Sequence, residues 1–183
     1  TKNLKSLIKK NYNRFIYFST SLIYGNNGNS PYSENDDIKL IDQYTKLKYK
    51  HEKIVLDSGG TVFRISNIIS DKILPSTILF DIYKQLKINE PLILNDKYAI
   101  RDFLSAQDLS SAIISFLNTD DLNANNIFNI GSGKGTTIEC LAKKFMRITN
   151  SRIKPIKSKS EYTRNKNYNV LNIKKFRALC SWK

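Results

Sequence analysis

The chain has 183 residues, 40% hydrophobic and 25% charged, a balance that excludes a disordered chain and suits one domain with a real core. No apolar run approaches the ~20 residues that cross a bilayer, and no basic segment followed by an apolar stretch marks a leader, so we expect a cytoplasmic protein without membrane contact. Thirty basic residues against sixteen acidic ones give a net charge of +14, which raises nucleic acid as a partner; but the lysines are spread and "SENDD" and "NTDDLN" interrupt them, so we expect a solvated basic surface and no specific nucleic-acid binding.

The elements follow in chain order. "TKNLKSLIKK" carries Leu4, Leu7 and Ile8 at helical spacing with a lysine-rich end, as the last turns of a helix do. "RFIYFST" is short and apolar on both faces, the pattern of a buried parallel strand. "NNGNSPYSENDD" is a loop by composition. From about Ile41 to Leu56, residues Tyr44, Leu47, Lys48, His51 and Val55 recur at three and four positions, predicting a helix that "DSGG" ends. "TVFRISNII" predicts a second buried strand and "IFNIGSG" a third. Helices are predicted around Thr77 to Leu86, from Asp108 as N-cap to Leu117, after Thr137, and over about Ile173 to Leu179. Strand, helix and strand in alternation define an α/β chain with a parallel sheet.

Ligands of such sheets gather at the carboxyl ends of the strands, where "FIYFST" places Ser19 and Thr20. A tyrosine and a lysine four residues apart share one helical face, but that spacing occurs at Tyr44/Lys48, Tyr49/Lys53, Tyr83/Lys87 and Tyr162/Lys166, so spacing alone selects none of them. Only the first two pairs lie on the helix after "FIYFST". The bland reading of Tyr44/Lys48 is a surface tyrosine beside a solvated lysine. Cys140 and Cys180 stand far apart and read as reduced thiols. His51, the only histidine, has no ligand set around it, so no metal is expected. "GSGKG" lacks the first glycine of a phosphate loop, because Phe128 stands there, and reads as a turn.

With these motifs the chain resembles the extended short-chain dehydrogenase/reductases, specifically the NAD-dependent epimerase/dehydratases of nucleotide sugars. The family's Ser-(Ser/Thr)-x-x-x-Tyr-Gly matches Ser19, Thr20, Tyr24 and Gly25, and its Tyr-x-x-x-Lys-x-x-x-Glu matches Tyr44, Lys48 and Glu52. "FRISN" is similar to its Arg-x-x-Asn strand, "RDFLSAQD" to its Arg-Asp-aromatic segment, "FNIGSG" to its Asn-x-Gly-x-Gly turn, and "NIKKFRALCSWK" to its closing helix.

The resemblance implies the second half of a Rossmann-like parallel sheet, over 1–68 and 108–131, with a small substrate-binding lobe over 69–107 and 132–183. It implies NAD as cofactor, with NADP as the other possibility, and a nucleotide-diphosphate sugar as substrate. Tyr44 would be the base, Lys48 its electrostatic partner and ribose ligand, and Thr20 a hydroxyl aimed at the same substrate oxygen; a nearby ammonium favours a phenolate over a phenol. Thr20, Tyr44, Lys48 and Ser66 would border the cofactor, with Ser66 beside the nicotinamide. Asn67 would contact the sugar nucleotide and Arg101 its diphosphate; read without the family, Asn67 satisfies a turn and Arg101 pairs with Asp102.

The family's opening glycine-rich strand–turn–helix, which holds the pyrophosphate of NAD, has no counterpart here. We therefore expect a fragment, a truncated frame or half of a split enzyme, inactive in this form, with "RFIYFST" as an open edge and an intact protein that is a homodimer through the helices flanking that strand. The chain departs from the family in lacking the proline before the tyrosine, in Ser70 and Cys180 where glycines stand, and in Ser21 and Leu22 where dehydratases carry Asp-Glu. The last departure favours epimerisation or reduction.

Overall fold

A computed structural model of the chain describes residues 2–10, 14–75, 77–88, 91–119, 126–151, 156–160, 167–180 and 182. Much of the basic stretch 151–168 and the acidic residues 120–121 lie outside the described residues. No helix among the described residues is long and apolar enough to cross a membrane.

Three parallel strands form the first sheet, in the order β1 (Ile16–Thr20), β2 (Thr61–Ile65) and β6 (Ile127–Ile130). Their register aligns Thr20 with Ile65 and Ile65 with Ile130, so the three carboxyl ends lie side by side. β2 is central and buried at every position, whereas β1 is an edge of this sheet and leaves Phe18 42% exposed. The expectation of an edge is met, and β1 is correspondingly less buried than its apolar run implied.

Helix α1 (Lys2–Ile8) precedes β1 and buries none of its residues. Helix α2 (Gln43–Leu56) joins β1 to β2. Its start is fixed by a capping box, in which the Asp42 carboxylate accepts from the Thr45 amide at 2.7 Å and the Thr45 hydroxyl accepts from the Asp42 amide at 3.2 Å. It ends at Leu56 with Asp57 as C-cap, and the turn that follows passes through Gly59, whose φ of +79° a glycine adopts without strain. Thr45, Glu52 and Val55 lie on its buried face.

The predicted strand "TVFRISNII" is two strands. The chain leaves the first sheet at Ser66, and β3 (Asn67–Ile69) pairs instead with β5 (Ile100–Ser105). β5 also pairs with β7 (Gly135–Thr137), antiparallel, and with β9 (Tyr168–Asn169). A further parallel pair joins β4 (Leu92–Leu94) to β8 (Ile156–Ser158). These short strands escape a search for long apolar runs.

Helices α3 (Ile78–Lys87) and α5 (Ile138–Ile148) begin at the N-caps Thr77 and Thr137. Helix α4 (Ala106–Leu117) begins three residues earlier than expected: Ser105, not Asp108, is the N-cap, its hydroxyl accepting from the Asp108 amide at 2.9 Å. Asp108 instead sits in the first turn, where its charge complements the helix dipole. Helix α6 (Lys174–Cys180) closes the described fold.

The apolar side chains form two cores. The larger gathers Phe63, Phe116, Phe128, Phe176 and Trp182 between the first sheet, α4 and α6. The smaller packs Leu79, Ile82, Leu92, Leu94 and Leu141 between α3, β4 and α5. Phe63 has no exposed surface and meets Phe116, Phe128 and Phe176 edge-on at centroid distances of 5.1, 6.2 and 5.7 Å. Phe63→Ala is therefore expected to cost about 3–5 kcal/mol in urea denaturation, while Ile148→Ala, at a position 80% exposed, changes stability by less than about 0.5 kcal/mol; equal effects would refute this account of the core.

Candidate active site

The carboxyl end of the first sheet is built on a buried polar cluster. Arg64 of β2 and Glu52 of α2 are only 3% and 1% exposed and pair at 2.9 Å. Ser19 of β1 donates to the same carboxylate. The Arg64 guanidinium also donates to the Tyr24 hydroxyl at 2.8 Å, and that hydroxyl donates to Asn129 of β6 at 2.8 Å. The loop after β1 closes the cluster, since Glu34 accepts from the Asn129 amide through its carboxylate and from Arg64 through its carbonyl. Burial opposes the Arg64 charge, but its bonds to Glu52 and Tyr24 hold its pKa above the ordinary value.

On this support stand the residues singled out from the sequence. Tyr44 lies in the first turn of α2 and is half exposed. Lys48, one turn on, lies with its ammonium 5.8 Å from the centre of the Tyr44 ring and 5.0 Å from that of Tyr17, and donates to the Phe18 carbonyl at 2.7 Å. Burial pushes the Lys48 pKa down, with Glu52 acting in the opposite sense. Tyr49, the competing tyrosine, is partly buried against the larger core, which separates it from the exposed Tyr44.

Thr20 is 8% exposed, and its hydroxyl oxygen accepts from the Leu22 amide at 3.3 Å, capping a short 3-10 helix over Ser21–Tyr24. Among the described residues its hydroxyl donates to none, and no hydrogen bond joins Thr20 to Tyr44 or Lys48. Ser66 follows β2 at the next strand end; it is 7% exposed and its hydroxyl has no partner among the described residues. The turn after β6 passes closely here, because a Cβ on Gly131 would fall 2.5 Å from an Asp102 carboxylate oxygen and 3.2 Å from the Ser66 hydroxyl. Glycine is what lets the chain approach.

Asn67 and Arg101 belong to a separate cavity of about 360 Å³, lined also by Thr77, Asp96, Phe103 and Asn167. Asn67 spans to β5 by donating to the Asp102 carbonyl at 3.0 Å, rather than satisfying a turn. Arg101 does not pair with Asp102. It donates to the Asn167 carbonyl at 2.8 Å and to the Asn167 side chain, while the Asp102 carboxylate, fully buried, accepts from Ser132, Gly133 and Leu171. That arrangement also makes "GSGKG" the turn expected of it. Among the described residues no group of His, Cys, Asp and Glu is placed to hold a metal, and both cysteines are free. The roles of Glu52, Arg64 and Asp102 as buried anchors went unassigned from sequence; a charged residue inside an otherwise apolar strand, as in "TVFRI", is the signal that marks Arg64.

The fold and the site define a Rossmann-like parallel α/β protein whose polar residues gather at the strand ends. The model of the NAD dependent epimerase/dehydratase family matches residues 1–131, and the chain belongs to that family. Among solved structures, UDP-glucose 4-epimerase from Thermotoga maritima, determined with UDP-glucose, superposes with a TM-score of 0.81 at 24% identity over 98% of this chain and 61% of its own. The dTDP-glucose 4,6-dehydratase of Bacillus anthracis, in complex with NAD, gives 0.82 at 21% over 100% and 60%. The UDP-glucuronic acid 4-epimerase of Bacillus cereus, with UDP-glucuronic acid and NAD, gives 0.85 at 18% over 98% and 59%. The chain thus spans about three fifths of the length of these structures. No curated protein gave a significant match.

Two outcomes test the site's physical account. Glu52→Ala leaves the Arg64 charge buried without its partner and is expected to cost about 3–5 kcal/mol, whereas Tyr44→Phe leaves the urea midpoint unchanged. Burial raises the pKa of both Tyr17 and Tyr24 from 10.0 to about 12. Between those values the unfolded chain gives up protons that the folded one keeps, so stability falls as pH rises through that window. Tyr17→Phe is expected to make the fall shallower, measured as the urea midpoint at steps across it; an unaltered slope would contradict the assignment for Tyr17.

Proposed function

We propose that this chain is part of an NAD-dependent enzyme that oxidises and reduces a carbon of a nucleotide-diphosphate sugar, in the manner of an epimerase or a reductase. The observation that carries the reading is the Tyr44–Lys48 pair, its ammonium anchored on the Phe18 carbonyl two residues before Thr20. Tyr44 exchanges a proton with the sugar hydroxyl, Lys48 sets a positive charge beside the phenol, and Thr20 offers its free hydroxyl hydrogen to the same substrate oxygen. Bound NAD, or NADP, would supply the hydride chemistry at that carbon. Lys48, Tyr44, Thr20 and Ser66 would hold its nicotinamide end; the fit is supported by the buried, unpartnered Ser66 hydroxyl and by the close passage at Gly131.

Asn67 and Arg101 would face the sugar nucleotide from their shared cavity. Burial lowers the Arg101 pKa, with Asp96 opposing, and a diphosphate would take over donors now given to Asn167. The proposed division is a Rossmann-like part, 1–68 and 108–131, and a substrate lobe, 69–107 and 132–183; the smaller core lies within the lobe, while Phe176 and Trp182 of its last segment pack into the larger core. Exposed Leu7, Ile41 and Leu47 around α1 and α2 support a homodimer of the intact protein. A cytoplasmic setting fits a nucleotide-sugar substrate.

A second reading, a non-catalytic remnant, is favoured by one observation: the Arg101 fork is already occupied by Asn167. The chain alone is expected to show no NAD binding by calorimetry. Fused behind the N-terminal segment of a relative, it is expected to turn over a UDP- or dTDP-sugar, and Tyr44→Phe to lower kcat about 10²–10⁴-fold with sugar-nucleotide binding retained. Turnover undiminished in Tyr44→Phe would refute the assignment, and an inert fusion that binds neither ligand would favour the remnant.

A further inference from the structure

The proposed reaction leaves one contact of Lys48 unused. Its ammonium lies 5.0 Å from the centre of the Tyr17 ring, closer than the 5.8 Å to Tyr44. Side chains alternate along a strand, so Tyr17 and Ser19 both face α2, where Ser19 meets Glu52 and Tyr17 meets His51. The Tyr17 hydroxyl and His51 Nδ1 are 3.2 Å apart, with the two rings edge-on at 5.8 Å and 83°. Lys48 is thus held from two sides of one strand, by the Phe18 carbonyl and by the face of the preceding aromatic ring.

We propose that Tyr17 is a positioning residue for Lys48: its ring is the seat of the ammonium, held in place by the strand and by its edge-on packing on His51. The inference rests on the reading of Lys48 given under the proposed function. A flexible four-carbon stem does not by itself hold an ammonium beside Tyr44; an aromatic face supplies an attraction that an aliphatic one lacks. The protonation states agree with this geometry. Burial raises the Tyr17 pKa to about 12 and, with Lys48 and Lys50 adding, lowers the His51 pKa; the imidazole accepts from the phenol as the Nε2–H tautomer and donates to it as the Nδ1–H tautomer, so the contact holds in either form. The charged and titratable groups around Lys48 are Tyr44, His51 and Glu52 on α2, Tyr17 on β1, and Arg64 on β2, which is committed to Glu52.

The test labels lysine with ¹³C at the ε position in the chain as it stands, with the Lys48 resonance assigned by its loss in Lys48→Arg. In Tyr17→Leu the upfield ring-current shift of that resonance is expected to vanish and its titration midpoint to fall by about 0.4–0.7 of a pH unit; in Tyr17→Phe, which keeps the ring, both are expected to stay near the parent values. In the fusion enzyme Tyr17→Leu is expected to lower kcat several-fold with KM unchanged, and Tyr17→Phe to retain most of it. A Lys48 resonance that is the same in Tyr17→Leu and the parent overturns the proposal, as does a shifted resonance with undiminished kcat. Failure of the functional reading shows separately, as full turnover in Tyr44→Phe.

Discussion

The buried pair of Arg64 and Glu52 is the constraint on which the site depends. Two charges taken out of water are costly, and such a pair often adds no net stability over apolar residues of the same size. What it supplies here is geometry. Glu52 comes from α2, Arg64 from the central strand, Ser19 from the edge strand, and Tyr24 and Asn129 from the two other segments that meet at the sheet's carboxyl end. The planar guanidinium donates directly to Glu52, to the Tyr24 hydroxyl and to the Glu34 carbonyl, while Ser19 joins through the Glu52 carboxylate and Asn129 through the Tyr24 hydroxyl. The pair therefore fixes the rotation of α2 about its own axis relative to β1. Tyr44 and Lys48 lie about two turns and one turn before Glu52 on that helix, so the same rotation aims them at the end of β1.

That dependence explains why part of the molecule was legible in the sequence. The long elements carry their own signals. The capping box of Asp42 and Thr45 and the glycine after α2 mark that helix, and the apolar runs "FIYFS", "TVFRI" and "IFNI" mark three strands that pair as expected. The surrounding motifs single out Tyr44 and Lys48 among four pairs, whereas proximity does not: Lys48 lies 5.8 Å from the Tyr44 ring, against 4.8 Å for Lys53 and Tyr49 and 4.7 Å for Lys87 and Tyr83. Spacing could not do that alone, because it describes a face of a helix and not what the face meets.

The rest depends on partners distant in sequence. The break at Ser66 is invisible in "TVFRISNII", where every residue suits a strand; it exists because β5 offers a second sheet just where β6 ends. Asp108 is a good capping residue displaced by an equally good one three positions earlier. The pairing of Arg101 with Asn167 joins positions 66 residues apart, and no local rule favours it over the neighbouring Asp102. Asp102 is claimed instead by the turn after β6, whose backbone donors had no other acceptor.

The junction at Ser66 also explains where a cleft can form. Strands that stay in one sheet keep their ends covered by the next connection. Here β2 and β6 end together, the chain after β2 turns away to β5, and the chain after β6 turns back over Asp102. The two departures separate the first sheet from the second, and the cavity of about 360 Å³ opens beside the second sheet, around Asn67 and Arg101. Ser66 sits at the branch point, with its amide committed to Ile130 at 2.9 Å and its hydroxyl without a partner among the described residues. A buried hydroxyl without a partner costs free energy, so the branch beside the turn at Gly131 carries a polar group that a bound donor or acceptor would satisfy, which ties the topology of the two sheets to the chemistry proposed for the first.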